Sequence, residues 1–252
     1  MGRRLRALER DVGATLFQRT GEGFILTGEG AAIFAHAERI EEETQSLLRQ
    51  LGAEDQALQG LLRISSSDWF GAHLLSPVLA EFSARHPRVE IELLTDARLY
   101  SLPRREADIA LRSVPFDEPE VISRRLLRVE YGAYLKVGLR RPEPGNGAGS
   151  ALVTMNVAFE GMPDATWLRR TLPRATIAAR SNARDVQARL CADGVGLAVL
   201  PRPIGDALAG VERIDLGEAP PHRDTFLGYH RDLKRLARLR AFVELIVERL
   251  GR

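Results

Sequence analysis

The sequence predicts an α/β protein of two lobes, preceded by a helical linker and a basic N-terminal segment. Three observations carry that expectation. Between Leu61 and Leu200, apolar residues switch repeatedly between the twofold period of a strand and the 3.6-residue period of a helix. A loop rich in glycine and proline, residues 141–150, divides this stretch into two series with the same element order. Ahead of both, Ile33, Ala37, Ile40, Thr44, Leu47 and Leu51 alternate by fours and threes, the seam spacing of a long paired helix.

Composition bounds the class. The 252 residues are 44% hydrophobic and 28% charged, ordinary for a globular protein with a sizeable core. A net charge of +2 is too small to imply nucleic-acid or membrane binding by itself, so the placement of charge matters more. Residues 3–19 hold Arg3, Arg4, Arg6, Arg10 and Arg19 against Glu9 and Asp11, whereas residues 38–55 are mostly acidic. The single cysteine, Cys191, excludes an internal disulfide and reads as a buried, inert thiol of a reducing compartment. No run approaches the ~18 apolar residues of a membrane span, so the expected location is the cytoplasm.

Taken in order, Leu5, Leu8 and Val12 fall on one face of a first helix, with Arg3, Arg6 and Arg10 opposite and Gly13 as its stop. A glycine-containing turn at residues 20–24 suits a short wing that brings Arg19 beside a phosphate backbone. The helix after Thr27 commits one face to a partner, and Gly52 to Gly60 marks its frayed end. In the first lobe, residues 61–64 read as a strand, 65–68 as a polar turn, 74–84 as a helix stopped by His86-Pro87, and 89–94 as a strand. A helix-prone stretch to Glu106 and a strand at 108–112 follow. In the second, strands at 151–155, 176–179 and 196–200 alternate with helices at 164–171 and 183–192. Residues 130–135 and 225–230 read as strands that carry the chain across and back.

Catalytic chemistry finds no support. The five histidines lack metal-site spacing, and one cysteine excludes paired thiolate zinc sites. His222-Arg-Asp224 and His230-Arg-Asp232 spell a kinase tripeptide without any of its companion motifs. Gly145, Gly147 and Gly149 do not lead from a strand into a helix, so no nucleotide loop is formed. No enzyme activity, metal or cofactor is expected. A binding site is, because open α/β sheets bind ligands beyond the carboxyl ends of their strands, where helix starts offer free amides. Ser65, Ser66, Ser67 and Asp68 occupy that place after the first strand, Thr95 and Asp96 after the second, and Ser181 and Asn182 before a helix of the second lobe. Ser66, Asp68 and Asn182 are equally suited to cap their helices. Asp68 adds a negative charge that Arg98 and Arg112 are placed to offset, which leaves the ligand's charge open.

Residue patterns along nearly the whole chain resemble LysR-type transcriptional regulators. Arg3-Arg-Leu-Arg-Ala-Leu-Glu9, Leu16-Phe-Gln-Arg19 and Leu26-Thr-Gly-Glu-Gly30 are similar to the second half of that family's winged helix-turn-helix. Leu75-Ser-Pro-Val-Leu79 with Phe82 and Pro87, Ala107-Asp-Ile-Ala-Leu-Arg112, and Asp193-Gly-Val-Gly-Leu-Ala-Val-Leu-Pro201 are similar to motifs of its effector domain. The resemblance implies a partial winged helix-turn-helix over residues 1–27, starting in mid recognition helix, a linker dimerisation helix over 28–60, and a periplasmic-binding-protein-like effector domain over 61–252. Lobe I would hold about 61–130 and 231–252, lobe II about 131–230. It further implies promoter DNA as partner of the complete protein, met by Arg3, Arg4, Arg6 and Arg19, a small-molecule effector between the lobes, and a homodimer or homotetramer, with no membrane association. The supporting helix of a helix-turn-helix is missing before Arg3, so Met1 is expected to be a misread start with further helices encoded upstream. The alternative is a truncated, DNA-incompetent small-molecule-binding fragment or a solute-binding protein.

Overall fold

The computed structural model describes residues 8–20, 23–51, 58–95 and 99–251. The chain divides into two compact units, Met1–Ala57 and Leu58–Arg252.

In the first unit, residues 8–12 are helical and end at Gly13, whose amide donates to the Glu9 carbonyl at 2.9 Å. The Glu9 carboxylate accepts from the amides of Leu16 and Phe17 at 2.9 and 3.1 Å, tying the helix to the strand that follows. β1 (Phe17–Thr20) and β2 (Gly23–Leu26) form an antiparallel hairpin at the place of the expected wing. α1 (Gly28–Leu51) begins at once. Thr27 Oγ1 donates to the Thr15 carbonyl at 2.7 Å and accepts from the Gly30 amide at 2.9 Å, satisfying one of the free amides of the first turn. Gly30 is dictated by a close backbone crossing, since a Cβ there would lie 2.0 Å from the Leu16 carbonyl oxygen. Ile33 of α1 is half-buried, but Phe34 and Ile40 are exposed, Ile40 at 67%.

The second unit holds two five-stranded sheets. Lobe I is built on β3 (Gly60–Ser65), which continues through a helical turn (Asp68–Phe70) and a π-helical segment (Gly71–Leu75) into α2 (Ser76–Arg85). β4 (Val89–Leu94) and β5 (Ile109–Arg112) run parallel to β3 on either side. β6 (Val121–Val129) ends the lobe, and one residue later β7 (Tyr131–Lys136) begins the second sheet. Lobe II adds β8 (Ala151–Thr154), α3 (Pro163–Thr171), β9 (Thr176–Arg180), α4 (Arg184–Asp193), β10 (Leu197–Pro201), α5 (Arg202–Gly205) and β11 (Val211–Ile214). The chain then returns as β12 (Arg223–His230) and closes with α6 (Ala237–Leu250). Strand order is β4-β3-β5-β12-β6 in lobe I and β11-β7-β10-β8-β9 in lobe II.

Core composition follows from these layers. β10 is buried at every position, as befits a strand covered on both faces by α3 and α4. In lobe I, Phe82 of α2 and Phe242 of α6 meet edge to face at 5.3 Å over Leu62, Ile64 and Ile109. α4 ends at Gly194, whose left-handed φ of +92° lets its amide reach the Cys191 and Leu190 carbonyls.

Two expectations are corrected. The helix-prone stretch to Glu106 is a series of turns over its described part, because Pro103 has no amide to donate and the Ser101 amide is taken by the Glu106 carboxylate at 2.8 Å. Residues 223–230, read with lobe II, pair instead between β5 and β6, with Phe226 opposite Arg112, so the return crossing lies before Arg223. β6, β11 and α6 went unread. Arginines break the apolar alternation of β6, a common feature of edge strands, where charge discourages pairing with other chains.

Candidate functional site

Strand polarity decides where a site can form. The carboxyl ends of β3, β4 and β5 lie at the same end of lobe I as the amino end of β12 and the carboxyl end of β6. The carboxyl ends of β8, β9 and β10 likewise lie at the end of lobe II where β7 begins. Since β6 and β7 are separated only by Glu130, these two ends adjoin and bound a cleft.

On the lobe I side, Ser65 and Ser66 are buried and Ser67 and Asp68 exposed. Ser66 joins the two strand ends, its amide donating to the Leu94 carbonyl at 3.0 Å and its hydroxyl to the Ser67 carbonyl at 3.1 Å. Thr95 follows β4, and its methyl group and the Ser66 hydroxyl both lie against the Cα of Gly71, where a Cβ would meet them at 3.2 and 3.3 Å. On the lobe II side the Ser181 amide donates to the Thr154 carbonyl at 3.0 Å, and its hydroxyl accepts from the Ala183 amide at 3.1 Å. Asn182 beside it is exposed. Neither Ser66 nor Asn182 caps a helix: the caps are Ser67 and Ala183, and neither makes a side-chain capping bond. Asp96 lies outside the described residues, as do Arg3, Arg4 and Arg6; Arg19 sits on β1, its side chain outside the described part.

A buried ion pair at the helix starts that follow the strand ends of lobe II was not legible in the sequence. Arg184, at the start of α4, and Asp164, at the start of α3, form a 2.8 Å ion pair with side chains only 5% and 3% exposed. Arg184 also donates to Gln187 Oε1 at 3.0 Å and to the Val199 carbonyl at 3.3 Å, and lies 5.4 Å from the Tyr131 ring centre. Burial alone would lower the Arg184 pKa, but the adjoining Asp164 carboxylate, Tyr131 and Asp68 together outweigh it and hold the guanidinium charged above its ordinary range. Burial raises the Tyr131 hydroxyl above its usual value, opposed by Arg184 and Arg223. Asp164 Oδ1 is buried with no hydrogen-bond partner among the described residues.

Arg184, rather than Arg112, therefore stands nearest in effect to Asp68. Arg112 is committed to the Tyr100 carbonyl at 2.6 Å, to Glu118 at 3.7 Å and to the Phe116 ring, while Arg98 lies outside the described residues. The lobes are further joined by Trp69, packed against the cores of both, and by His73 Nε2 to Asp185 Oδ1 at 2.6 Å. Among the described residues no group of three or more His, Cys, Asp or Glu side chains is placed to hold a metal ion, and no helix is long and apolar enough to cross a membrane.

Comparison with known proteins bears on this cleft. Residues 55–251 match the family model of the LysR substrate binding domain. The chain is similar to the HTH-type transcriptional regulator CrgA of Neisseria meningitidis serogroup C (strain 8013), 32% identical over 126 residues that cover 50% of this chain and 42% of that regulator. It is also similar to the uncharacterized HTH-type transcriptional regulator YcgK of Bacillus subtilis (strain 168), 24% identical over 278 residues covering 99% of this chain and 86% of the relative. The solved structure of CrgA, a LysR-type regulator from Neisseria meningitidis, superposes with a TM-score of 0.65 at 24% identity, covering 100% of this chain and 89% of that one, which shows a shared fold.

Proposed function

This chain belongs to the LysR family, and from that premise we propose that it is a DNA-binding regulator whose promoter affinity responds to a small polar molecule held between its two lobes. The observation that carries the reading is positional. The LysR substrate binding match over residues 55–251 supports it, as does the position of Ser66, Thr95, Ser181 and Asn182 just beyond strand ends within that span. The site has Ser66 and Ser181 hydroxyls that each make one local bond, an exposed Asn182 and a buried Asp164 oxygen without a partner among the described residues. It therefore suits recognition of a polar ligand by hydrogen bonds, and the relatives named above are regulators rather than enzymes.

The N-terminal arginines, Arg3, Arg4, Arg6 and Arg19, supply cations for phosphates and base edges, and the arginine fork bonds guanine in bidentate fashion. α1 pairs two copies through its apolar stripe. A ligand that binds the closed cleft more tightly than the open one shifts the pair towards closure, and by linkage DNA binding then alters ligand affinity by the same factor.

Calorimetric titration of candidate polar metabolites tests the reading. Replacing Ser66 and Asn182 with alanine removes bonds of ~1 kcal/mol each and weakens a cleft ligand about tenfold or more, while the unliganded chain loses only the Ser66–Ser67 bond, about 1 kcal/mol. Undiminished affinity in that variant places the ligand elsewhere.

A further inference from the structure

A second charged surface lies at the pole of lobe I away from the cleft, where β12 ends and β3 begins. It is formed by the 3-10 turn Arg231–Arg235 and the first turn of α6. Arg231, Lys234, Arg235 and Arg240 are all exposed there. Arg105 reaches Asp232 at 3.4 Å, which brings the exposed Arg104 to the same surface. Among the described residues none of the five exposed cations has a side-chain hydrogen bond or ion pair. Of the carboxylates nearest in the chain, Asp232 pairs with Arg105 and His230, Glu106 accepts from the Ser101 amide, and Glu244 has no ion pair with any of the five cations among the described residues. Some exposed arginines elsewhere are paired, as in Arg202–Asp206 and Arg249–Glu81, whereas Arg140, Arg174 and Arg189 of lobe II are exposed but lie apart from one another in the chain.

The local backbone adds to the same field. Leu236 begins α6 without a side-chain cap, and its first turn carries no acidic residue. Arginines at that end face the positive pole of the helix dipole, an unfavourable placement unless an anion is present. Arg238 is already used, donating to the Leu61 carbonyl at 2.8 Å and to the Gln59 carbonyl at 3.4 Å, which fixes the patch beside the entry of the chain into this unit.

The spread of the cations selects the kind of anion. At a rise of about 2.0 Å per residue, Arg231 and Arg235 stand roughly 8 Å apart along the 3-10 axis, with Arg240 farther on. A small anion can engage two of these cations but not the whole row. A DNA strand, with a phosphate at about every 3.4 Å of axis, presents a series that can engage all of them, and arginine forks bond phosphate oxygens well. We propose that this pole of the effector unit binds the phosphate backbone of DNA, outside the N-terminal recognition segment. The proposal rests on the reading of the chain as a DNA-binding regulator.

The test is the salt dependence of binding by the full chain to a labelled duplex of random sequence. Three proteins are compared: the unaltered chain, the variant Arg231→Ala/Lys234→Ala/Arg235→Ala, and the control Arg140→Ala/Arg174→Ala/Arg189→Ala, which removes three exposed arginines of lobe II. Each lost phosphate contact reduces the slope of log K against log salt by about 0.9, so the patch variant is expected to lose about two to three units of slope and the control none. Thermal melts of both variants are expected to match the unaltered chain, since only exposed side chains are cut. An unchanged slope in the patch variant, or an equal loss in the control, overturns the proposal while leaving the regulator reading intact. An unchanged slope with a lower molar mass in sedimentation assigns the pole to a second copy and also overturns it. Absence of duplex binding by the unaltered chain at low salt also overturns the proposal.

Discussion

His73 of lobe I and Asp185 of lobe II meet at 2.6 Å across the cleft, the histidine carried by the π-helical segment and the carboxylate by the first turn of α4. Both side chains are partly exposed, at 31% and 48%, so the pair adds little to global stability. Its position matters more, because a contact made between the lobes contributes only in arrangements that bring them together. Asp185→Ala is expected to leave the melting temperature nearly unchanged while weakening a cleft ligand several-fold, up to about the 1 kcal/mol such a pair can supply. Paired melting and calorimetry measure the two effects; a large fall in melting with unchanged ligand affinity would refute a closing role.

The buried Arg184–Asp164 pair behaves differently. Arg184→Met leaves Asp164 charged and unpartnered at 3% exposure, and is expected to destabilise the second unit by about 3–5 kcal/mol. Replacing both residues with apolar ones of similar volume should restore much of that loss. Urea unfolding of the two variants decides the matter, and equal stabilities would show that no uncompensated charge is created.

Gly30→Ala sets a Cβ against the Leu16 carbonyl oxygen, where only 2.0 Å is available. The hairpin and the start of α1 must separate, at a cost of about 1–3 kcal/mol. Hydrogen exchange should report it as faster exchange at the Thr27 amide, which donates to Leu16 across that crossing at 3.0 Å. Unaltered protection would mean that the backbones adjust freely.

If α1 pairs two copies through its apolar stripe, Ile40 is the position to test, being 67% exposed in the single chain. Ile40→Asp buries an unpaired charge in such a seam, costs several kcal/mol of association (on the order of 3–5), and shifts the protein towards monomer. Sedimentation that shows unaltered assembly would move association to the lobes.

Cys191 supplies the pH-dependent prediction. Burial raises its thiol from 9.0 to about 11, against a smaller opposing bond from the Ala198 backbone. A raised folded value means that the folded state holds the proton more tightly, so the associated stability is complete below about pH 9 and is lost as pH rises towards 11. Cys191→Ala should flatten that alkaline decline. Folded protein should also resist thiol alkylation at pH 8 and react once unfolded; rapid labelling under native conditions would contradict the burial.

The sequence by itself determined the order of layers and the positions of the polar strand ends. Strand and helix periods differ, and each period is written in consecutive residues, so β3, β4, β8, α3, β9, α4 and β10 were all legible from their apolar spacing. The positions of Ser66 and Asn182 just beyond a strand were legible in the same way. Only the tertiary structure decided what meets across the cleft. Asp164 and Arg184 stand 20 residues apart in sequence, and His73 and Asp185 are 112 apart, so no local pattern announces either contact. The same holds for β12, whose own alternation says that it is a strand but not which sheet it joins. That choice rests on hydrogen bonds to β5 and β6, formed only once the chain has crossed to the second lobe and returned. Period is a property of neighbours along the chain, whereas charge burial and sheet membership depend on what folding brings alongside.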